Sequence, residues 1–114
     1  MQSHFRVDQK SDENALVLTV SGELDLATCP ELEEQLGQAF ASGAKLVIVD
    51  LRELEFIDST GLSVLVKAHQ QAQESGARFG LVNGGSQVRR LLSLTGLAER
   101  LPVADAPEEL LSGG

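Results

Sequence analysis

A chain of 114 residues, 42% apolar and with a net charge of −8, is long enough to bury a core as one domain spanning 1–114 and too apolar to stay disordered. The negative charge repels phosphates and anionic lipids, and without Trp or Tyr there is no aromatic platform for bases, which argues against nucleic acid and membrane surfaces as ligands. No apolar stretch approaches the roughly 20 residues of a bilayer span, residues 1–5 carry no signal-peptide pattern, and the single Cys29 excludes an internal disulfide; a cytoplasmic, monomeric protein that binds another protein is expected.

In chain order, Phe5 to Gln9 alternates weakly, as an edge strand does, and Ser11-Asp12-Glu13-Asn14 is a polar turn. Ala15 to Val20 reads as a second strand, closed by Ser21-Gly22. A helix follows, with Leu32, Leu36, Ala39 and Phe40 on its inward face. Thr28, Pro30 and Glu31 mark its start as a capping box, and Cys29 is a small apolar filler there. Leu46-Val47-Ile48-Val49-Asp50-Leu51 is a continuous apolar run, the pattern of a central strand buried on both faces. From Ser59 the spacing becomes helical, with Leu62, Leu65, Val66, His69 and Ala72 on one face. Arg78 to Val82 is a further strand, Gln87 to Thr95 a third helix with Val88, Leu91, Leu92 and Thr95 on one side, and Leu101-Pro102-Val103 a short edge strand. Glu108 to Ser112 forms at most a short helix. The segments Ala41-Ser42-Gly43-Ala44-Lys45 and Glu74-Ser75-Gly76-Ala77-Arg78 repeat one punctuation: a helix ends in a glycine suited to the left-handed cap, and a strand begins after a basic residue. Alternating helices and strands predict an α/β domain with a mixed sheet of about four to five strands and right-handed crossovers.

The most informative stretch is Ile57-Asp58-Ser59-Thr60-Gly61-Leu62, where a strand has ended and a helix begins. Three roles compete for Ser59. As a helix cap, Asp58 or Ser59 accepts bonds from free N–H groups, worth about 1 kcal/mol. As a hydrolase nucleophile it fails: the elbow motif wants glycine where Ile57 stands, His69 lies roughly 15 Å along the same helix, and His4 has no evident orienting partner. As a modified serine it occupies a helix N-terminus, which tolerates an anion. No cofactor motif is present, because Gly84-Gly85-Ser86 lacks the lysine of a phosphate loop, and no metal site is expected.

Asp58-Ser59-Thr60-Gly61-Leu62 resembles the signature of STAS domains, in particular of stand-alone bacterial anti-sigma factor antagonists. Gly22-Glu23-Leu24-Asp25 followed by Thr28, and Val88-Arg89-Arg90-Leu91-Leu92 leading into Thr95-Gly96-Leu97, match in the family's order and extend the resemblance over nearly the whole chain. The resemblance implies helices mainly on one side of the sheet. It implies a partner that is both an anti-sigma factor and an ATP-dependent serine kinase; binding it frees a sigma factor, phosphorylation of Ser59 ends binding, and a serine phosphatase restores it. By position, Asp58 is the acidic neighbour at the docking surface, Thr60 a second hydroxyl in a contact or structural role, and Gly61 either a point of close partner approach or a conformational need. Asp25 and Thr28 complete the surface, the plainer alternatives being a solvated turn and a helix cap, and Arg89 and Arg90 are solvated charges. The rival reading keeps the fold and makes the chain a scaffold or adaptor of a signalling assembly or membrane transport complex, with Ser59 only a cap. In either case the chain is not an enzyme.

Overall fold

The computed structural model describes residues 4–111. Strand β1 (Arg6–Asp12) pairs antiparallel with β2 (Ala15–Leu24) across a two-residue turn at Glu13-Asn14, where Glu13 takes a positive φ of 56°. Helix α1 (Cys29–Ala41) leads to β3 (Leu46–Asp50), then β4 (Leu54–Ile57), α2 (Ser59–Ser75) and β5 (Arg78–Val82). Helices α3 (Ser86–Leu94) and α4 (Leu97–Arg100), the short strand β6 (Val103–Ala104) and α5 (Pro107–Leu111) complete the order. The sheet runs β1-β2-β3-β5-β6, with every pairing after the first hairpin parallel, and β4 joins the far end of β2. It is the mixed sheet expected, with β3 central.

The continuous apolar run of β3 is explained by the two faces it serves. Val47 and Val49 join Leu16, Leu18, Val20 and Leu81 in the main core, packed with Leu32 and Leu36 of α1 and Leu65 and Ala68 of α2. Leu46 and Ile48 point the other way and, with Ala15, Val17 and Val82, meet Leu110 and Leu111 of α5. Period-two alternation therefore sorts one strand into two cores. Residues of α1, α2, α3 and α4 all enter the main core, so the helices lie mainly on one side as the resemblance implied. The helix-ending glycines are also as read: Gly43 and Gly76 have φ of 87° and 77°, in the left-handed region.

Several boundaries differ from the sequence reading. Strand β1 continues through Asp12, because the hairpin needs only Glu13 and Asn14. Strand β2 does not close at Ser21-Gly22 but runs on to Leu24. Gly22, at φ 92°, shifts the register there, and a Cβ on it would lie 2.8 Å from the Phe5 backbone. Strand β4 was not expected at all. It has only four residues, and its two buried positions, Leu54 and Ile57, flank the exposed Glu55 and Phe56, a pattern without strand alternation. It is β4, not β3, that delivers the chain to Ser59. Helix α2 is rolled relative to its apolar stripe: Gly61, Val64 and Ala68 are buried with Leu62, Leu65 and Ala72, while Val66 and His69 sit at the margin, His69 stacked on Phe79 at 6.2 Å. Small residues carry little hydropathy but let a helix approach a sheet closely, and that decides the roll. Helix α3 starts at Ser86 and buries Val88 and Leu92, with Thr95 exposed at its C-cap. Helix α4 was missed, β6 lies at Val103–Ala104 beyond Pro102, and the expected end of α5 at Ser112 lies outside the described residues.

Candidate functional site

Strands β2 and β4 end side by side, Glu23 opposite Phe56 and Leu24 opposite Ile57. The Asp58 N–H donates to the Leu24 carbonyl at 3.2 Å, so the loop 25–28 entering α1 and the start of α2 are tied together just beyond the sheet. This brings Asp25, Thr28, Asp58, Ser59 and Thr60 to one end of the molecule.

Asp58 is the N-cap of α2. Its extended backbone (φ −113°) aims the carboxylate at the helix, where Oδ1 accepts from the Gly61 N–H at 3.0 Å. That bond holds the carboxyl below its ordinary pKa; the hydroxyl and N–H of Thr60 act in the same direction, and partial burial opposes them. Replacing Asp58 by alanine is expected to cost about 1 kcal/mol in denaturant unfolding. Because the folded-state pKa is lowered, this contribution is present in full above the ordinary value of 3.8 and fades as the pH falls through the lower folded-state value. The difference between wild type and Asp58→Ala should therefore narrow only in acid. A difference that widened toward low pH would show that the carboxylate is not the capping species.

With the cap filled by Asp58, Ser59 is the first helical residue and not the cap. It is exposed, its carbonyl accepts from the Ser63 hydroxyl at 3.1 Å, and its own hydroxyl has no hydrogen-bond partner among the described residues. Thr60 differs: its hydroxyl is turned to the Asp58 carboxylate. Of the two neighbouring residues, Thr60 is half-buried and Ser59 is exposed.

Thr28 stands at the N-cap position of α1 but forms no capping box with Glu31, because its hydroxyl points back into the loop. It donates to the Glu23 carbonyl at 2.8 Å and accepts from the Asp25 N–H at 3.0 Å. Asp25 is no loose turn residue either: its Oδ1 accepts from the N–H groups of Ala27 and Thr28 at 3.0 and 3.2 Å. The two side chains brace the loop and leave Leu26 between them 73% exposed. Leu26 and the exposed Phe56 on β4 are apolar surface that hydropathy periodicity did not single out. An isolated leucine in a loop and a phenylalanine in an unrecognised strand give no periodic signal.

Gly61 is buried under the helix start. A Cβ there would meet Ile57 Cγ1 at 2.7 Å, Leu24 Cγ at 2.9 Å and the Leu24 carbonyl oxygen at 3.0 Å. Its need for glycine is thus internal: it lets α2 lie against the ends of β2 and β4, the conformational alternative of the two the sequence left open. Cys29 is buried as the filler it was read to be. Loss of solvation, aided by the charges of Asp58, Glu33 and Asp25, pushes its thiol up to about 11, so it stays protonated at neutral pH. The same effect places those three carboxylates in one acidic neighbourhood. Arg89 pairs with Asp105 at 3.4 Å, both exposed, and Arg90 is exposed. Among the described residues no group of three or more His, Cys, Asp or Glu is arranged to hold a metal ion, and no helix is long and apolar enough to cross a membrane.

The sequence model of the STAS domain matches residues 6–110. The anti-sigma-F factor antagonist RsfB of Mycobacterium tuberculosis is 34% identical over 104 residues, covering 90% of this chain and 84% of that one. The anti-sigma-B factor antagonist of Bacillus subtilis is 31% identical over 105 residues, covering 92% and 95%. The crystal structure of an anti-sigma factor antagonist from Mycobacterium paratuberculosis superposes with a TM-score of 0.88 at 29% identity, covering 96% of this chain and 92% of that one.

Proposed function

The chain belongs to the STAS domain family, and from that premise we propose that it is an anti-sigma factor antagonist whose docking surface carries its own off-switch at Ser59. It acts by binding and not as an enzyme. Its partner in this reading is an anti-sigma factor with serine kinase activity. Capture of that factor releases a sigma factor in the cytoplasm, phosphorylation of Ser59 ends capture, and a phosphatase reverses it. Asp25, Thr28, Asp58, Ser59 and Thr60 mark the docking surface, with Leu26 and Phe56 as its apolar contacts, while Gly61 shapes it from beneath.

The observation that carries this reading is the exposed, unengaged Ser59 hydroxyl beside a cap already filled by Asp58. A serine with no task in the fold is available to a kinase, and it is the exposed one of the two hydroxyl residues, Thr60 being half-buried. A phosphoryl group at the first helical position meets free N–H groups and the positive end of the helix dipole, so the fold tolerates it. A docked partner meets about −1.5 to −2 extra charge at a desolvating interface beside Asp58 and Asp25, and is repelled. The adaptor reading keeps the same fold and gave Ser59 the role of a cap, a position that Asp58 fills.

Intact-mass and site-mapping mass spectrometry on the protein from its native host, across growth and stress, tests the proposal. One phosphate on Ser59 that varies with condition is the expected result. An unmodified Ser59 under every condition, with the kinase shown to be present, would remove the switch.

A further inference from the structure

Among the described residues strand β4 pairs with β2 alone, Gly22 opposite Leu54 and, after a register shift, Glu23 opposite Phe56 and Leu24 opposite Ile57. Along its other edge the backbone N–H and C=O of the fully buried Ile57 need partners that no strand supplies. Gln87, in the first turn of α3, provides both. Its side-chain Oε1 accepts from the Ile57 N–H at 3.0 Å, and its Nε2 donates to the Ile57 carbonyl at 2.9 Å. One primary amide thus offers the donor and acceptor that a neighbouring strand residue would have offered, and α3 closes the edge with a side chain.

Ile57 is followed directly by Asp58, whose N–H is fixed on Leu24 and whose carboxylate starts the helix that opens with Ser59. We propose that Gln87 is a positioning residue for the acceptor serine, clamping the last residue of β4 so that Ser59 is presented at a set height and angle above the docking surface. The inference rests on the reading of Ser59 as the phosphoacceptor and adds a third anchor, from an element thirty positions along the chain. It couples α3 to the switch: a contact that shifts α3 moves the serine.

Two variants and two readouts test it. Gln87→Leu keeps the bulk and removes both bonds. On the unmodified chain, amide hydrogen exchange at Ile57 should accelerate about tenfold or more, with the central strands unchanged. In the native host, phosphate occupancy of Ser59 should fall several-fold under conditions that load the wild type. Gln87→Glu keeps the shape and supplies a readout that packing alone would not move. Ionised at about pH 8, the introduced carboxylate can accept from Ile57 N–H but faces its carbonyl without a proton; protonated at about pH 3, below the ordinary glutamate value, it regains the donor. Protection of Ile57 relative to intrinsic exchange should match Gln87→Leu at the higher pH and return toward wild type at the lower. Unchanged Ile57 exchange in Gln87→Leu would show that there is no clamp. Faster exchange with unchanged Ser59 occupancy would make the clamp purely structural. Absence of phosphate from wild-type Ser59 would overturn the acceptor reading and this proposal with it, and is told apart from failure of the clamp because exchange is read without phosphate.

Discussion

Ser59→Asp is expected to bind the kinase-type anti-sigma partner at least about a hundredfold more weakly than wild type, a loss of about 3 kcal/mol. Ser59→Ala should bind as wild type and never switch off. The contrast follows from where the side chain stands. Ser59 is exposed at the first position of α2, so a carboxylate there meets the helix dipole favourably, and the folded chain should melt at an unchanged or slightly higher temperature. The penalty falls on the complex, where a second negative charge next to Asp58 must be desolvated against the partner. Calorimetric titration of both variants with the purified partner, beside their thermal melts, reads binding and folding separately. Wild-type affinity in Ser59→Asp would refute electrostatic exclusion, and a parallel drop in melting temperature would mean the fold itself was damaged.

Gly61→Val is expected to destabilise the fold by about 1–3 kcal/mol, the range for overpacking a well-filled core. Two of the contacts a Cβ would make are with side chains, Ile57 and Leu24, which can shift a little; the third is the Leu24 carbonyl oxygen, which is fixed by β2. Relief requires the N-terminal turn of α2 to lift from the strand ends, carrying Ser59 with it and stretching the bond from the Asp58 N–H to Leu24. Chemical denaturation should show the loss of stability, and the Ser59 and Thr60 amide resonances should shift well beyond those of the central strands. Wild-type stability in Gly61→Val would mean that the helix start can move freely, and would weaken the case that the acceptor is rigidly presented.

Much of the site was legible because its signals are local. An aspartate, a serine and the start of a helical stripe stand consecutively from Asp58 to Leu62, and a helix start is written in a few neighbouring residues. The choice between Asp58 and Ser59 as cap was not legible, since either side chain suits the role and the backbone angle at Asp58 decides it. Thr28 shows the same limit. Its spacing to Glu31 fits a capping box, yet the bulged end of β2 offers the Glu23 carbonyl at 2.8 Å and the hydroxyl turns to it. Strand β4 escaped notice because its partner is the far half of β2, a pairing no local pattern announces.

What the amino-acid sequence determined by itself was the α/β order, the doubly buried β3, the glycine-capped helix ends and the placing of an acidic residue and a serine at the start of α2, because each depends on periodicity or backbone preference within a few residues. Only the tertiary structure decided which hydroxyl is free, why residue 61 is glycine, and that a glutamine thirty positions away holds the strand before the serine. Those outcomes turn on backbone carbonyls and close approaches between β2, β4, α2 and α3, and contacts between distant segments exist only once the chain has packed.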